Sequence, residues 1–254
     1  MTPNRLRWGA LAWLLTLQFF VVETIAQARF EDAYSRADDV ISDLGTSDSA
    51  AHQLMNASFV VQAALILAGA LLLRPVLLRG AGQVAHVLLG AAAAGVLLVG
   101  VFPSDGNALV HAIGAVVYLV GGGLGLIALA YAVRPRSEIL GTTLALLGLV
   151  GTAATVFFVT GVTEHLGEGG TERVAAYVLP LGLALAGVSL WRLARPGATD
   201  RRAERESARA EQAQRDRDRD AALEAAARRG TTRTDTADEA ELDDHWAPVE
   251  RRRD

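Results

Sequence analysis

The sequence contains no cysteine and no lysine. Without cysteine, neither a disulfide framework nor a thiolate metal site can form. Without lysine, all 24 basic residues are arginine. They occupy scattered positions with no common call on the planar guanidinium fork, which reads as a compositional bias of the source genome. Several catalytic signatures are also missing. No G-x-S-x-G turn exists to carry a serine nucleophile, and no Gly-rich loop suits a phosphate. A short-spaced ligand pair of the H-E-x-x-H kind is absent, which argues against zinc. Haem needs two axial ligands at one depth, and His86 and His111, each near the start of its apolar run in consecutive and so oppositely directed spans, fall near opposite membrane surfaces.

What remains is mostly apolar. Hydrophobic residues make up 51% of the 254-residue chain, and the mean hydropathy is +0.27, high for a soluble protein of this size. Nearly all of them precede Pro196. A spanning helix needs roughly 20 mainly apolar residues, and six segments qualify: Leu6–Ala26, Leu54–Leu73, Gln83–Phe102, Ala108–Val133, Ile139–Val162 and Val174–Leu193. Charge, Pro or a Gly-polar cluster bounds each one. The expected fold is all-α: a polytopic integral membrane protein with a six-helix transmembrane domain over residues 1–195 and a charged tail over 196–254. Runs such as "GAAAAG" (Gly90–Gly95) and "GGGLG" (Gly121–Gly125) let helices approach closely in lipid.

Arginine sets the orientation, because positive charge collects on the cytoplasmic side. Arg5, Arg7, Arg74, Arg79, Arg134, Arg136, Arg192 and Arg195 fall on one side with the tail, against Arg29, Arg36 and Arg173 on the other. Both termini are therefore expected in the cytoplasm and the protein in the plasma membrane. A rival reading takes "MTPNRLR", the first apolar run and "IAQA" as a signal peptide cleaved after Ala28. The outer connections are acidic, with Glu31, Asp32, Asp38, Asp39, Asp43, Asp48, Asp105, Glu164, Glu168 and Glu172. The tail has helix-forming composition, with Asp200 as a start and Gly230 as a stop. It has no apolar stripe, so it reads as a solvated appendage, partly helical or disordered. Its acids alternate with its arginines, which argues against nucleic acid as a partner.

On this topology the polar groups concentrate at the outer face. Glu23 closes the first helix, and Asp43 lies in "ISDLG" (Ile41–Gly45). His52, Asn56, Phe59 and Gln62 follow one face of the second helix. "FPSD" (Phe102–Asp105) closes the third, His111 is one turn inside the fourth, and Glu172 with Arg173 opens the sixth. Asp105 suits a turn or cap, with Asn107 close by. His111 is an ionisable group that lipid would penalise, so it should turn inward to a partner such as Asn56, Glu23, Asp43 or Glu172. Glu23, Asp43, His52, Asn56, Asp105, His111, Glu172 and Arg173 form the candidate ligand site. No metal or other cofactor is expected. His52, His111 and His165 are the residues that a zinc site would have to use.

The motifs "ISDLG", "LMNASFVVQ", "GVFPSD", "HAIGA" and "ERVAAY" together resemble the bacterial and archaeal membrane-protein family known as domain of unknown function 998. The resemblance covers roughly Leu6 to Leu193 and leaves out the tail. It implies a multi-helix membrane protein and assigns no catalysis; its motif residues here are Asp43, Asn56, Pro103, Asp105, His111, Glu172 and Arg173. A Pro is expected directly after the Tyr of "ERVAAY", whereas Pro180 comes a few residues later. "ISDLG" is also similar to a short stretch of the DRAM and Frag-type membrane family, which is too brief to carry function.

The leading expectation for function is an outer-facing site that binds a small polar or lipid-headgroup ligand, with transport as an extension of it. A membrane enzyme using His111 and an outer carboxylate is a second expectation. A scaffold recruiting a partner through the tail is the third. The bilayer itself is the one partner that the composition demands, and nothing in the sequence sets an oligomeric state.

Overall fold

The computed structural model describes residues 3–77, 80–193 and 198–244. Arg79, Arg195 and Pro196, which entered the reading of charge and domain boundary, lie outside the described residues. The chain divides into two units, Met1–Arg195 and Pro196–Asp254.

The first unit is a bundle of six helices long and apolar enough to cross a membrane, and the protein is a multi-pass membrane protein. The first span, Asn4–Gln27, is broken into α1 (Pro3–Leu15) and α2 (Gln18–Gln27). Thr16 lies at the break: its hydroxyl donates to Trp13 O at 2.6 Å and competes for the carbonyl that would continue the ladder. After the long connection come α3 (His52–Leu73), α4 (Ala81–Val101), α5 (Ala108–Val133), α6 (Glu138–Thr160) and α7 (Glu168–Leu193). Consecutive helices pack as antiparallel neighbours, and α1 closes the ring against α3 and α7. Among the described residues the only β pairing is the bridge between Phe30 and Ser49.

Local chemistry explains the helix ends. Asn107 caps α5 by accepting the Val110 N–H at 3.2 Å, and Ser137 caps α6 by accepting from Leu140 at 3.3 Å. α7 starts earlier than expected. Gly167 takes the left-handed conformation (φ 75°) that ends the preceding turn, and the Thr171 hydroxyl bonds back to Gly167 O at 2.7 Å. Glu172 and Arg173 therefore lie inside the helix rather than ahead of it.

Small residues hold the bundle together. A Cβ on Gly95 would come within 2.6 Å of Gly114 O, and one on Gly121 within 2.9 Å of Leu88 O. Backbones approach to a distance that only glycine permits. α7 is the most enclosed span and α6 the least, with 61% and 28% of their most apolar stretches buried.

The second unit is one helix, α8 (Ala198–Asp244). It runs through Gly230, which was expected to stop it, and it contains Asp200 instead of starting from it. The roughly 1 kcal/mol cost of a helical glycine is spread over a long Ala/Arg/Glu-rich stretch. That stretch also carries i,i+4 pairs such as Arg215–Glu211 at 3.7 Å. Side chains from Ala203 to Ala226 are exposed throughout.

Candidate functional site

The antiparallel order brings three connections to one end of the bundle: residues 28–51, 102–107 and 161–167. The first folds over that end as a cap. Its two strands of chain are stitched by Glu31 N–H to Asp48 O at 3.1 Å and Ala50 N–H to Arg29 O at 3.0 Å. Between them lies the 3₁₀ turn Ile41–Gly45.

The cap is tethered to the helices through its backbone, and the tethers are the predicted site residues. Asn56 Nδ2 donates to Gly45 O at 2.8 Å. Asp105 Oδ2 accepts the Ser47 N–H at 3.0 Å, and Glu172 Oε2 accepts the Ile41 N–H at 2.5 Å. Arg173 uses every nitrogen of its guanidinium: Nε to Glu23 Oε1 at 3.0 Å, Nη1 to Arg36 O and Asp39 O at 2.8 Å each and to Gly169 O at 3.0 Å, and Nη2 to the Tyr34 hydroxyl. Glu23, almost fully buried, also accepts the Tyr177 hydroxyl at 2.6 Å. The half-exposed Arg36 sits 3.5 Å from Glu23 and donates to Tyr177 at 2.6 Å. A buried ion pair persists only when further hydrogen bonds satisfy the remaining donors and lone pairs, and here they do.

Charges in the connections respond to these surroundings. Burial pushes the Tyr34 hydroxyl up to about 12, against the lowering effect of Arg173. Burial also raises Asp43, opposed by a backbone hydrogen bond at Val40 and reinforced by the negative charges of Asp39, Glu168 and Asp48. Asp105 is lowered, chiefly by the Ser47 N–H that it accepts.

Beneath the cap is a pocket with about 30 Å³ open to the centre of a water molecule, room for about two waters. Ile41 and Ser42 roof it, and Phe19, Phe59, Val96 and Val99 form apolar walls. α5 contributes His111, Ala115, Tyr118 and Leu119, and α7 contributes Glu172 and Ala176. Glu172 is buried, and among the described residues no cation pairs with it; its neighbour Arg173 turns to Glu23 instead. Tyr118 donates to Ala176 O at 3.2 Å, a carbonyl left without its helical donor because residue 180 is proline. Below the pocket, Gln18 bonds to Ser58 and Gln62 across α2 and α3. The buried Gln62 Nε2 has no hydrogen-bond partner among the described residues.

The eight candidate residues thus separate into groups. Glu23 and Arg173 form the buried ion pair, while Asn56 and Asp105 are cap tethers. Glu172 both tethers the cap and lines the pocket, and His111 lines it too. His111 corrects the expectation of a side-chain partner from Asn56, Glu23, Asp43 or Glu172: its Nδ1 meets Phe102 O at 2.9 Å, just past the end of α4. His52 faces Ser49 O at 2.8 Å and lies outside the pocket, as does Asp43. His165 is exposed in the 161–167 turn. No group of three or more His, Asp or Glu side chains suited to a metal ion occurs among the described residues.

Sequence reasoning missed Tyr34, Arg36, Ser42, Tyr118 and Tyr177. The tyrosines carried a usable signal, since the chain has only four and a buried hydroxyl needs a partner. A family model described as "Protein of unknown function (DUF998)" matches residues 14–189. No curated protein and no solved structure matches the chain.

Proposed function

The chain belongs to the DUF998 family, and from that premise we propose that it is a membrane binding protein whose ligand sets a primary ammonium group beneath the cap. One observation carries this reading: the Glu172 carboxylate faces a largely apolar pocket, buried and without a cation among the described residues. A buried carboxylate with one backbone donor, at Ile41 N–H, and no cation is costly and calls for a partner. The other polar groups on the pocket wall offer acceptors. The Phe102 carbonyl can only accept, so His111 Nδ1 donates to it, and in the neutral ring Nε2 then offers a lone pair. The Tyr118 hydroxyl spends its proton on Ala176 O and keeps its lone pairs. An ammonium has three donors and no acceptor, and it is close to water in size, which the pocket volume requires. The acidic cap raises the local concentration of cations. The same arginine asymmetry supports a plasma-membrane location with this end outside.

The test is calorimetric titration of the purified protein with butylammonium, butanol and butyrate. Butylammonium is expected to bind in preference to both. Glu172→Gln, which keeps an oxygen for the Ile41 N–H, should weaken butylammonium at least tenfold while leaving the melting curve in place; tenfold corresponds to about 1.4 kcal/mol. Equal binding of butanol and butylammonium rejects the reading. Because His111 and Glu172 line one pocket, acid–base chemistry on the bound molecule is the second reading. It requires turnover that His111→Gln abolishes while butylammonium still binds.

A further inference from the structure

The pocket under the cap is bordered on one flank by α5, which packs against α6. On α5, Ala112, Val116, Leu119 and Gly123 follow one another at helical spacing on the face toward α6. On α6 the facing stripe is Gly148, Thr152, Val156 and Val159. Midway along the bundle these stripes touch at glycine distance: a Cβ on Gly123 would lie 3.0 Å from Thr152 N, and one on Gly148 2.7 Å from Gly123 O. Toward the capped end residues of both stripes become exposed. Ala112 is exposed, as are Val116 (41%), Val156 (54%) and Val159 (57%). The two helices therefore enclose a wedge that opens toward the cap, with apolar residues on both sides and the bilayer outside.

The apex of that wedge is the pocket wall. Leu119, buried, belongs both to the α5 stripe and to the pocket lining, and the half-buried Ala115 beside Val116 lines the pocket as well. No residue of α6 lines it. The volume under the cap admits an ammonium head but neither a long hydrocarbon chain nor a phosphate-bearing headgroup. A headgroup phosphate would also meet the Glu172 carboxylate. The wedge, by contrast, offers a hydrocarbon chain four aliphatic side chains.

Resting on the ammonium reading above, we infer that the natural ligand is a long-chain primary amine, an amphiphile with its ammonium directly on the hydrocarbon, which reaches the pocket sideways from the bilayer between α5 and α6. The head lies at Glu172 and His111, and the chain lies along Ala112, Val116, Val156 and Val159. A water-soluble amine shares the head chemistry and reaches the site from the aqueous side.

The experiment uses the full chain in phosphatidylcholine nanodiscs, titrated separately with dodecylammonium and butylammonium, with retained amine measured by mass spectrometry. Wild type should hold dodecylammonium at least tenfold more tightly than butylammonium. The double variant Val116→Trp, Val159→Trp fills the wedge at two exposed positions. It should lose at least tenfold for dodecylammonium and stay within twofold for butylammonium. Leu67→Trp, exposed on α3 away from the α5 and α6 stripes, should change neither. Should the double variant not fold, Ala112→Phe alone narrows the same wedge and should weaken dodecylammonium selectively. Equal affinity for the two amines in wild type, or indifference of dodecylammonium to a filled wedge, overturns the lateral route and leaves the ammonium site standing. Binding of both amines unchanged by Glu172→Gln removes the ammonium site and this inference with it.

Discussion

Arg173 shows why a single buried side chain can outweigh many. Its guanidinium reaches Glu23, Tyr34 and three backbone carbonyls at once, a fan of directions that the one nitrogen of a lysine cannot copy. Arg173→Ala strands Glu23, 1% exposed, with only Arg36 and Tyr177. Breaking a buried pair from one side costs about 3–5 kcal/mol. Arg173→Lys is expected to fall closer to alanine than to wild type, measured by unfolding in detergent; near-wild-type stability of the lysine variant would mean that the fan is redundant. Asp43 behaves in the opposite sense. Its folded value is raised by burial, so the folded state holds the proton more tightly than the unfolded chain. That preference is harmless below the ordinary carboxyl value of 3.8. It becomes a penalty as pH rises from there through the raised value, and it persists above. Asp43→Asn should therefore raise the melting temperature at pH 7, and the gain should shrink as pH falls toward the ordinary carboxyl value. A constant gain at all pH values would point to packing instead.

Elements add constraints that single residues do not reveal. Pro180 inside α7 orphans Ala176 O, and Tyr118 of α5 supplies the missing donor at 3.2 Å. Tyr118→Phe should cost about 1–3 kcal/mol, the usual range for stranding a buried acceptor. In a Pro180→Ala background residue 180 regains its own N–H, so the same change should cost clearly less. A double-mutant cycle reads the difference, and additive effects would show that the two do not share the carbonyl. Such links explain what was legible beforehand. Five of the six spans follow from uninterrupted apolar length and end near the expected residues. The first does so too, apart from the Thr16 break, because a hydroxyl's choice between lipid-buried carbonyls leaves no mark in composition. The start of α7 was misplaced by six residues, since Gly and Glu in "GEGGTER" look like turn chemistry although Gly167 alone is left-handed. The candidate site was half legible. Charged and amide side chains at one end pointed to it, but Asn56, Asp105 and His111 bond to backbone atoms of Gly45, Ser47 and Phe102. Backbone partners have no sequence signature.

At the scale of the whole molecule, charge and burial make one joint demand. Arg5, Arg74, Arg134, Arg136 and Arg192 collect at the end opposite the cap, while Glu31, Asp32, Asp38, Asp48 and Glu168 collect on the capped end. Positive charge near the ends of spans stays in the cytoplasm, so the cap should face outward with all six spans retained. The absence of native cysteine makes this directly testable with single cysteines. At Asp48, Asn107 and Glu168, all exposed at the capped end, an impermeant thiol reagent should label intact cells; at Gly80, Ser137 and Ala221 it should label only after lysis. The reversed pattern would invert the topology. The N-terminus of the purified chain supplies an independent check. Cleavage after Ala28 would remove Glu23 from Arg173 and Trp13, Phe19 and Ala26 from the core. It would leave a buried guanidinium with no carboxylate but Glu172, the group that the ammonium site needs free. A mature chain beginning at Arg29 would thus overturn the bundle and the proposed site together, whereas one that keeps residues 4–27 leaves Glu172 free for a ligand.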